Sequence, residues 1–208
     1  MPKAAIPTSS GNDIVYTPDD LATAIVHHFQ PRGTILEPFR GAGAFTRAFD
    51  SYNAAHAYEG TPRLTTIHSM EIAPPDDTPS TDFFTDGPPL ESYDWVITNH
   101  PWSRTVDTLN HCFDLRADVV LLIYMNAMYT NHRLDLIEDA GYYFAEIARV
   151  DRPKVWRSMG MQLAAVHLRP VDRCQDIRGA NYCRTSKIIY NNPEPPKRPK
   201  VDRPRRKK

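Results

Sequence analysis

Two glycines that follow a short apolar run can bring backbone amides close to a ligand. The segment from Ile35 to Phe45 reads ILEPFRGAGAF and carries Gly41 and Gly43 at its turn. Because glycine has no Cβ atom, the backbone there can approach a bound molecule, and the amides that open the next helix attract electron-rich groups. The segment lacks the third glycine of the dinucleotide fingerprint and the lysine of a GxxxxGK phosphate loop. Alone, a GxG pair is equally consistent with an ordinary turn.

Three carboxylates are spaced so that each closes a strand-length run. Glu37 ends the first run, Glu71 ends the second, and Asp82 ends the third. Because the ends of parallel strands meet at one rim of a sheet, we expect these acids around a single crevice. Three rim carboxylates suit a cationic ligand that carries hydroxyl groups, and an acid after the second strand can accept two ribose hydroxyls. Each acid by itself would be interpreted as a solvated loop residue.

The run from Asp94 to Thr98 (DWVIT) ends in an amide, a proline turn and an aromatic ring. The four residues that follow are Asn99, His100, Pro101 and Trp102. With ILEPFRGAGAF, SMEI and TDFF ahead of it, this order of motifs resembles the class I S-adenosylmethionine-dependent methyltransferases that modify base amino groups, especially the DNA adenine-N6 enzymes. The resemblance covers about residues 16–169. The family motif is Asp/Asn-Pro-Pro-aromatic, and this chain reads Asn-His-Pro-Trp.

The resemblance implies a cofactor, S-adenosyl-L-methionine, and a set of residues that bind it. By analogy, Thr17-Pro18 and residues 37–43 would hold the methionine part, Glu71 the ribose, and Ile72, Asp82 and Phe83 the adenine. The residues assigned to the cofactor are Thr17, Pro18, Glu37, Pro38, Gly41, Gly43, Glu71, Ile72, Asp82 and Phe83. Residues 99–102 would hold the target base.

An aromatic amine is a poor nucleophile, because its lone pair is delocalised into the ring. If the Asn99 side-chain oxygen and the His100 carbonyl each accept one amino hydrogen, the nitrogen can pyramidalise and aim its lone pair at a methyl group. Trp102 offers a face on which a flipped base can stack.

His100 is the departure from the family motif, since proline would fix the backbone angle φ at this position. Three interpretations are open: a tolerated variant, a weakened or inactive enzyme, and a general base at His100. The family mechanism does not require a base, which disfavours the third.

A basic and aromatic loop between the last two strands is a candidate for substrate contact. Trp156, in RPKVWRS, resembles the position where adenine enzymes place a second aromatic against the flipped base, and ordinary packing is the alternative. Arg152 and Arg157, with Lys154, could meet phosphates, although exposed basic residues are usually just solvated.

The elements that must position these residues alternate between strand and helix. Helical spacing predicts helices at Asp19–Phe29, after Gly43, at Arg104–Leu115 and at Asn131–Ala140. Apolar runs predict strands at Thr34–Glu37, Thr66–Ile72, Thr81–Phe84, Asp94–Thr98, Asp118–Tyr124, Tyr142–Val150 and Gln162–Leu168. The last two are too close for a crossover helix and predict an antiparallel hairpin. We therefore expect an α/β fold: a doubly wound, Rossmann-like, seven-stranded, mostly parallel sheet that ends in this hairpin.

Charge is distributed unevenly along the 208 residues. Residues 193–208 hold eight Lys/Arg and two Asp/Glu, whereas residues 1–192 hold 17 and 23. The proline-rich basic end cannot bury enough surface to offset chain entropy, so we expect a disordered tail, either an electrostatic arm for nucleic acid or a localisation segment. The expected divisions are a flexible segment (1–15), a methyltransferase domain (16–170), a C-terminal extension (171–192) and the tail (193–208).

Composition excludes several other classes. No apolar stretch is long enough to span a membrane, and the first residues lack a signal-peptide pattern, so we expect a soluble intracellular protein, cytoplasmic or nucleoid-associated, or in a host cell if the source is viral. Cys112, Cys174 and Cys183 form no CxxC pair, and the histidines have no ligand spacing, so neither disulfide nor metal is expected.

The sequence thus predicts transfer of a methyl group from S-adenosyl-L-methionine to a base amino group, adenine N6 in DNA first, with nucleic acid as the partner. Alternatives are an RNA or guanine-amino methyltransferase, which shares the same motif logic, and a non-catalytic nucleic-acid-binding member of the fold. Protein glutamine methylation uses a similar motif but fits the basic tail less well.

Overall fold

The computed structural model describes residues 15–60, 62–74, 77, 79–156, 160–173 and 183–194. Within these residues the helices are α1 (Asp19–Phe29), α2 (Ala44–Ala55), α3 (Thr105–Asp114), α4 (Met125–Met128) and α5 (Asn131–Asp139). The strands are β1 (Gly33–Glu37), β2 (Leu64–Ser69), β3 (Trp95–Thr98), β4 (Asp118–Tyr124), β5 (Tyr142–Val150), β6 (Leu163–Pro170) and β7 (Arg184–Ile188).

The strands form one sheet in the order β2-β1-β3-β4-β6-β5-β7. Strands β1 to β4 pair in parallel, β6 is antiparallel to both β4 and β5, and β7 pairs in parallel with β5. The predicted α/β sheet with an antiparallel β5–β6 hairpin is therefore confirmed. The carboxyl ends of β1, β2 and β3 lie at the same edge, and the candidate site residues follow them.

Helices cover both faces of the sheet, because alternate side chains of each strand point to opposite sides. Strand β4 shows this directly: Val120, Leu122 and Tyr124 pack with α1 and α2, whereas Val119, Leu121 and Ile123 pack with α3 and α5. All seven residues of β4 are buried, as the unbroken apolar run after Asp118 predicts for a central strand.

Two of the predicted strands need correction. The second strand is β2, which ends at Ser69, so Glu71 lies in the loop beyond it. The segment Thr81–Phe84 is not a strand, because the backbone amides of Thr85 and Asp86 bond to the carbonyl oxygen of Asp82 and close a turn.

The seventh strand lies in a segment that the sequence assigned to a C-terminal extension. Strand β7 pairs with all of β5 from Glu146 to Val150. A partly buried contact links it to the first helix: His28 Nε2 lies 2.6 Å from Glu146 Oε1, and the Ser186 hydroxyl donates to the same oxygen. Residues 1–14 of the predicted flexible segment lie outside the described part of the chain. Residues 174–182 of the C-terminal extension and residues 195–208 of the tail also lie outside it.

Asp118 is the first residue of β4 and lies at the amino ends of the parallel strands, away from the candidate site residues. Its Oδ1 lies 2.6 Å from His167 Nε2 and 2.6 Å from Arg169 Nε, both on β6. Burial alone would raise the pKa of Asp118, but the hydrogen bonds and charges of His167 and Arg169 outweigh it and hold that pKa below the usual value. The ionised carboxylate is thus the form that the fold stabilises.

We expect Asp118→Asn to lower the free energy of unfolding by about 1–3 kcal/mol, because the buried His167 and the half-buried Arg169 lose their hydrogen bonds to an ionised carboxylate. Since the folded pKa is depressed, this stabilisation is complete above the unfolded value near pH ~4 and is lost as the pH falls through the folded one. Denaturant unfolding at neutral and acidic pH measures both effects. Asp114→Asn, on an exposed residue, is the control, and an equal loss in the two variants would contradict the expectation.

Candidate functional site

A cleft of about 330 Å³ opens at the carboxyl edge of the sheet, above β1 and β3. Eight of the ten residues assigned to the cofactor line it, and so do all four residues of the Asn-His-Pro-Trp turn. They are Thr17, Glu37, Pro38, Gly41, Glu71, Ile72, Asp82 and Phe83, with Asn99, His100, Pro101 and Trp102. Pro18 and Gly43 are adjacent to lining residues. The two halves of the sequence prediction therefore meet in one cavity.

The glycine turn needs its glycines for backbone conformation and for space. Gly41 and Gly43 have φ angles of +52° and +78°, in the left-handed region that residues with a side chain adopt at a cost. A Cβ atom at Gly41 would lie 3.1 Å from the ring of Tyr16. The turn is thus held close to a ring that also lines the cleft.

Glu71 fastens the loop after β2 to this turn. Its Oε2 accepts a hydrogen bond from the Gly41 amide at 2.6 Å, and its Oε1 accepts one from the Ala73 amide at 3.0 Å. The carboxylate keeps further lone pairs, so it can accept hydroxyl groups while it holds the loop. The next residue, Ile72, leaves 63% of its surface exposed at the cleft.

Glu37 is buried at the end of β1, with 1% of its surface exposed. Burial raises its pKa well above the usual value, an effect that hydrogen bonds from Thr46 partly offset. The Thr46 hydroxyl donates to Glu37 Oε2 at 3.0 Å. Glu37 therefore joins the end of β1 to α2, beneath the cleft that it also lines.

Asp82 organises a turn that brings aromatic rings to the cleft. Its Oδ1 accepts from the Phe84 amide at 2.9 Å, and its own amide donates to Asp86 at 2.7 Å. The turn buries Phe83 and leaves Phe84 partly exposed, with the guanidinium carbon of Arg104 3.7 Å from the centre of the Phe84 ring. One oxygen of Asp82 is thus already engaged in local structure.

The Asn99 amide is oriented by the backbone of the residues before α1. Its Nδ2 donates to the Val15 carbonyl at 2.8 Å, while its Oδ1 is buried and has no hydrogen-bond partner among the described residues. Because Nδ2 is the donor, the amide oxygen is the atom that remains to accept a hydrogen bond. A buried acceptor without a partner is costly, so a ligand that donates a hydrogen there would be stabilised.

The imidazole of His100 is buried behind the turn, with 2% of the residue exposed. Its Nε2 lies 2.9 Å from Thr105 Oγ1, and the Thr105 hydroxyl donates to the Trp102 carbonyl at 2.8 Å. Burial, with a smaller effect of the positive charge on Arg133, lowers the pKa of His100 to about 3. A neutral, buried imidazole fits structural support better than proton transfer.

Trp102, the last residue of the Asn-His-Pro-Trp turn, lies beside Trp156. Trp102 donates from Nε1 to the Leu122 carbonyl, and its ring centre lies 6.1 Å from that of Trp156 in an edge-to-face contact. Trp156 is 8% exposed and donates from Nε1 to the Tyr16 carbonyl at 3.0 Å. These contacts place Trp156 under the residues before α1, where it packs against Trp102.

Residues Val15–Thr17, which we call the N-terminal strap, connect the two halves of the site. The strap accepts hydrogen bonds from Asn99 and Trp156 through backbone carbonyls, and its Tyr16 ring covers Gly41. Sequence reasoning identified Thr17 but missed these carbonyls, since a backbone acceptor leaves no signal in residue identity.

The predicted phosphate-binding residues serve the loop between β5 and β6. Arg152 donates to the carbonyls of Pro153 and Trp156, and Lys154 pairs with Glu194. Asn192 bonds to the backbone of both Arg152 and Lys154, so the chain that precedes the basic tail is moored to this loop. Arg157 lies outside the described residues.

The described residues contain no group of three or more His, Cys, Asp or Glu side chains placed to hold a metal ion. None of their helices is long and apolar enough to cross a membrane.

No protein-family model matches the chain, and no curated protein matches its sequence. Its fold, however, is shared by solved structures. A protein from Listeria monocytogenes assigned to the class I S-adenosylmethionine-dependent methyltransferases superposes with a TM-score of 0.58 at 10% identity, over 83% of this chain and 65% of that one.

Two modification proteins of restriction enzymes share the fold as well. The M protein of the type I enzyme EcoKI gives a TM-score of 0.56 at 13% identity, over 76% of this chain and 44% of that one. A modification subunit assigned to a type I enzyme of Vibrio vulnificus gives 0.54 at 11%, over 74% and 44%. The chain thus spans less than two thirds of the length of any of the three. The comparisons show that its sheet has the Rossmann-like fold of these proteins.

Proposed function

We propose that this chain is a methyltransferase that uses S-adenosyl-L-methionine to methylate an exocyclic base amino group, with adenine N6 in DNA as the target. The observation that carries the proposal is the convergence of the glycine turn, Glu71 and the buried acceptor of Asn99 on one cleft. A cofactor site and an amine site at the same edge of the sheet are what methyl transfer to an amine requires.

The cleft fits the proposed cofactor part by part. The Glu71 carboxylate can take ribose hydroxyls, and exposed Ile72 offers an apolar surface for the adenine, with Phe83 buried behind it. Thr17, Pro38 and Gly41 would hold the methionine portion, with Pro18, Gly43 and Glu37 in support. When bound, the cofactor supplies a methyl group on a cationic sulfur.

The residues at the other end of the cleft would prepare the amine. Asn99 Oδ1 and the His100 carbonyl would each accept one amino hydrogen, so that the lone pair leaves the conjugated system and faces the methyl carbon. Trp102 would support the base, and Trp156 would hold Trp102 and the N-terminal strap in place. The buried His100, whose pKa is lowered to about 3, would add no positive charge to a site that holds a cationic sulfur.

We favour DNA over RNA as the substrate because two structures with this fold are modification proteins of type I restriction enzymes. The basic tail also favours nucleic acid. The second candidate is an RNA or guanine-amino methyltransferase, which the same Asn99 arrangement would serve.

The deciding experiment incubates the protein with labelled cofactor and duplex DNA, single-stranded DNA or RNA, followed by nucleoside analysis. We expect N6-methyladenine in DNA. Methylguanine or labelled RNA would move the function to the second candidate. Calorimetry on the same sample tests the cofactor, and a folded protein without binding at millimolar cofactor would refute the methyltransferase assignment. Cofactor binding without product on any nucleic acid would favour a non-catalytic role.

We also expect the basic tail to set the salt dependence of nucleic-acid binding. Removal of Pro195–Lys208 deletes eight basic residues and leaves the mooring at Asn192 in place. Because each neutralised phosphate contributes about 0.9 to the slope of log affinity against log salt, the slope should fall by several units. Titrations at several salt concentrations measure it.

A tail of unchanged length with glutamine at the eight basic positions is the matched variant for this test. It should behave like the deletion if charge is the cause, while cofactor affinity stays unchanged in both. An unaltered slope would assign the tail to localisation or solubility instead.

A further inference from the structure

The Asn-His-Pro-Trp turn lacks a covalent restraint that the related motif contains. A proline at residue 100 would fix φ near −65° for that residue, whereas histidine allows φ a wider range even with Pro101 after it. The Asn99 oxygen and the His100 carbonyl must nevertheless be held together, because both are proposed to grip a single amine. Something else in the fold must therefore restrict this turn.

The described contacts supply such a restriction through one buried hydroxyl. Thr105, the first residue of α3, has no exposed surface, and its Oγ1 contacts both His100 Nε2 at 2.9 Å and the Trp102 carbonyl at 2.8 Å. The hydroxyl has a single hydrogen, which it donates to the Trp102 carbonyl. It must then accept from His100, so the imidazole carries its proton on Nε2.

We infer that His100 and Thr105 are positioning residues: the hydrogen-bond chain from His100 through Thr105 to the Trp102 carbonyl holds the turn in the shape that a proline would otherwise impose. The inference rests on the proposed function for its catalytic consequence. The restraint itself is a property of the fold, independent of any substrate.

The Thr105 hydroxyl connects the Asn-His-Pro-Trp turn to the first turn of α3 at two points. One is the side chain of His100, and the other is the carbonyl of Trp102. In the same turn, the Arg104 amide donates to the Pro101 carbonyl at 2.9 Å. This amide is therefore a reporter of whether the turn is restrained.

Thr105→Val is the first variant to test, because it keeps the shape of the side chain and removes both bonds. Loss of one such bond corresponds to about a tenfold change in an equilibrium. We expect hydrogen exchange at the Arg104 amide to accelerate at least about tenfold and kcat to fall by a similar factor. KM for the cofactor should stay within about twofold, since the hydrogen bonds among His100, Thr105 and Trp102 lie outside the cofactor end of the cleft.

Thr108→Val is the matched control. Thr108 is also on α3 and has no exposed surface, but its hydroxyl has no partner among the described residues. It should leave both the Arg104 exchange and kcat unchanged. Thr105→Ser, which keeps the hydroxyl, should behave like the wild type.

The double variant His100→Pro with Thr105→Val gives the decisive comparison. If proline and the hydrogen-bond chain do the same work, the proline should return the Arg104 exchange and kcat towards wild-type values. His100→Phe, which keeps a buried ring without a donor, provides a second route to the same loss if Thr105→Val does not fold.

Exchange at Arg104 that is unchanged in both Thr105→Val and His100→Phe would overturn the inference, and so would a double variant that remains as fast as Thr105→Val. Because exchange is measured on protein alone, the restraint can be confirmed even if no nucleic acid is methylated. Conversely, methylation at a full rate in an unrestrained Thr105→Val would support the proposed function and refute this inference.

Discussion

Replacement of Asn99 by alanine is expected to reduce methyl transfer about 10²- to 10³-fold, the range seen when one group that stabilises developing charge is removed. The reason is that Asn99 Oδ1 is the side-chain acceptor available to the target amine, with no other partner in the described residues. Cofactor affinity should change by no more than about twofold, since the amide bonds to the Val15 carbonyl and not to a residue assigned to the cofactor. Single-turnover rates and calorimetry measure the two quantities separately.

Two further variants separate the chemistry of Asn99 from its contact with the strap. Asn99→Asp keeps an acceptor oxygen but loses the donor to the Val15 carbonyl, so it tests the orientation of the group. Asn110→Ala makes the same truncation on an exposed residue of α3 and should leave the rate unchanged. Equal rates for wild type and Asn99→Ala would remove Asn99 from the mechanism.

Replacement of Glu71 by alanine is expected to weaken binding of S-adenosyl-L-methionine about 10- to 150-fold, which corresponds to roughly 1.5–3 kcal/mol for hydrogen bonds to a charged group. Two effects add. The ribose hydroxyls lose their acceptor, and the Gly41 amide loses the bond that holds the glycine turn against the loop after β2.

Calorimetry on Glu71→Ala and Glu71→Gln tests this expectation. The glutamine retains one neutral acceptor oxygen, so its affinity should lie between those of the alanine variant and the wild type. Glu138→Ala, which removes an exposed carboxylate from α5, controls for the change of net charge. An affinity of Glu71→Ala equal to that of the control would exclude Glu71 from the cofactor site.

The elements that could be predicted from sequence are those in which local pattern and burial agree. Helix α1 begins and ends at Asp19 and Phe29 as expected, because its apolar residues recur at helical spacing and bury one stripe. Strand β4 matches Asp118–Tyr124, because the unbroken run of six apolar residues after Asp118 is stable only in the middle of a covered sheet.

The elements that could not be predicted depend on contacts that pattern does not encode. Asp82 and the two phenylalanines after it predicted a strand. The Asp82 carboxylate instead accepts a hydrogen bond from the Phe84 amide, which stabilises a turn in place of an extended strand. Strand β7 has a polar, largely exposed sequence, and its place in the sheet follows from pairing with β5 about forty residues earlier.

The candidate site divides in the same way. Motif spacing identified Gly41, Glu71 and Asn99, because each follows a strand at the same edge of the sheet. The groups that hold those residues were missed. Thr105 is an ordinary helix residue in the sequence, and its role exists only because the turn before α3 folds back over its hydroxyl.

The order of strands in the sheet has a consequence for folding during synthesis. Strands β2, β3 and β4 each pair with a strand that precedes them, so the first half of the sheet can grow as the chain emerges. Both neighbours of β5 are made after it, and its backbone groups therefore lack partners until β6 and then β7 have left the ribosome. The glycine turn, Glu71 and Asn99 all belong to the half that grows step by step. Assembly of the cleft and completion of the sheet are thus separate events in the order of synthesis, and a nascent chain that has left the ribosome as far as Val150 but not Leu163 would expose β5 as one long unpaired strand.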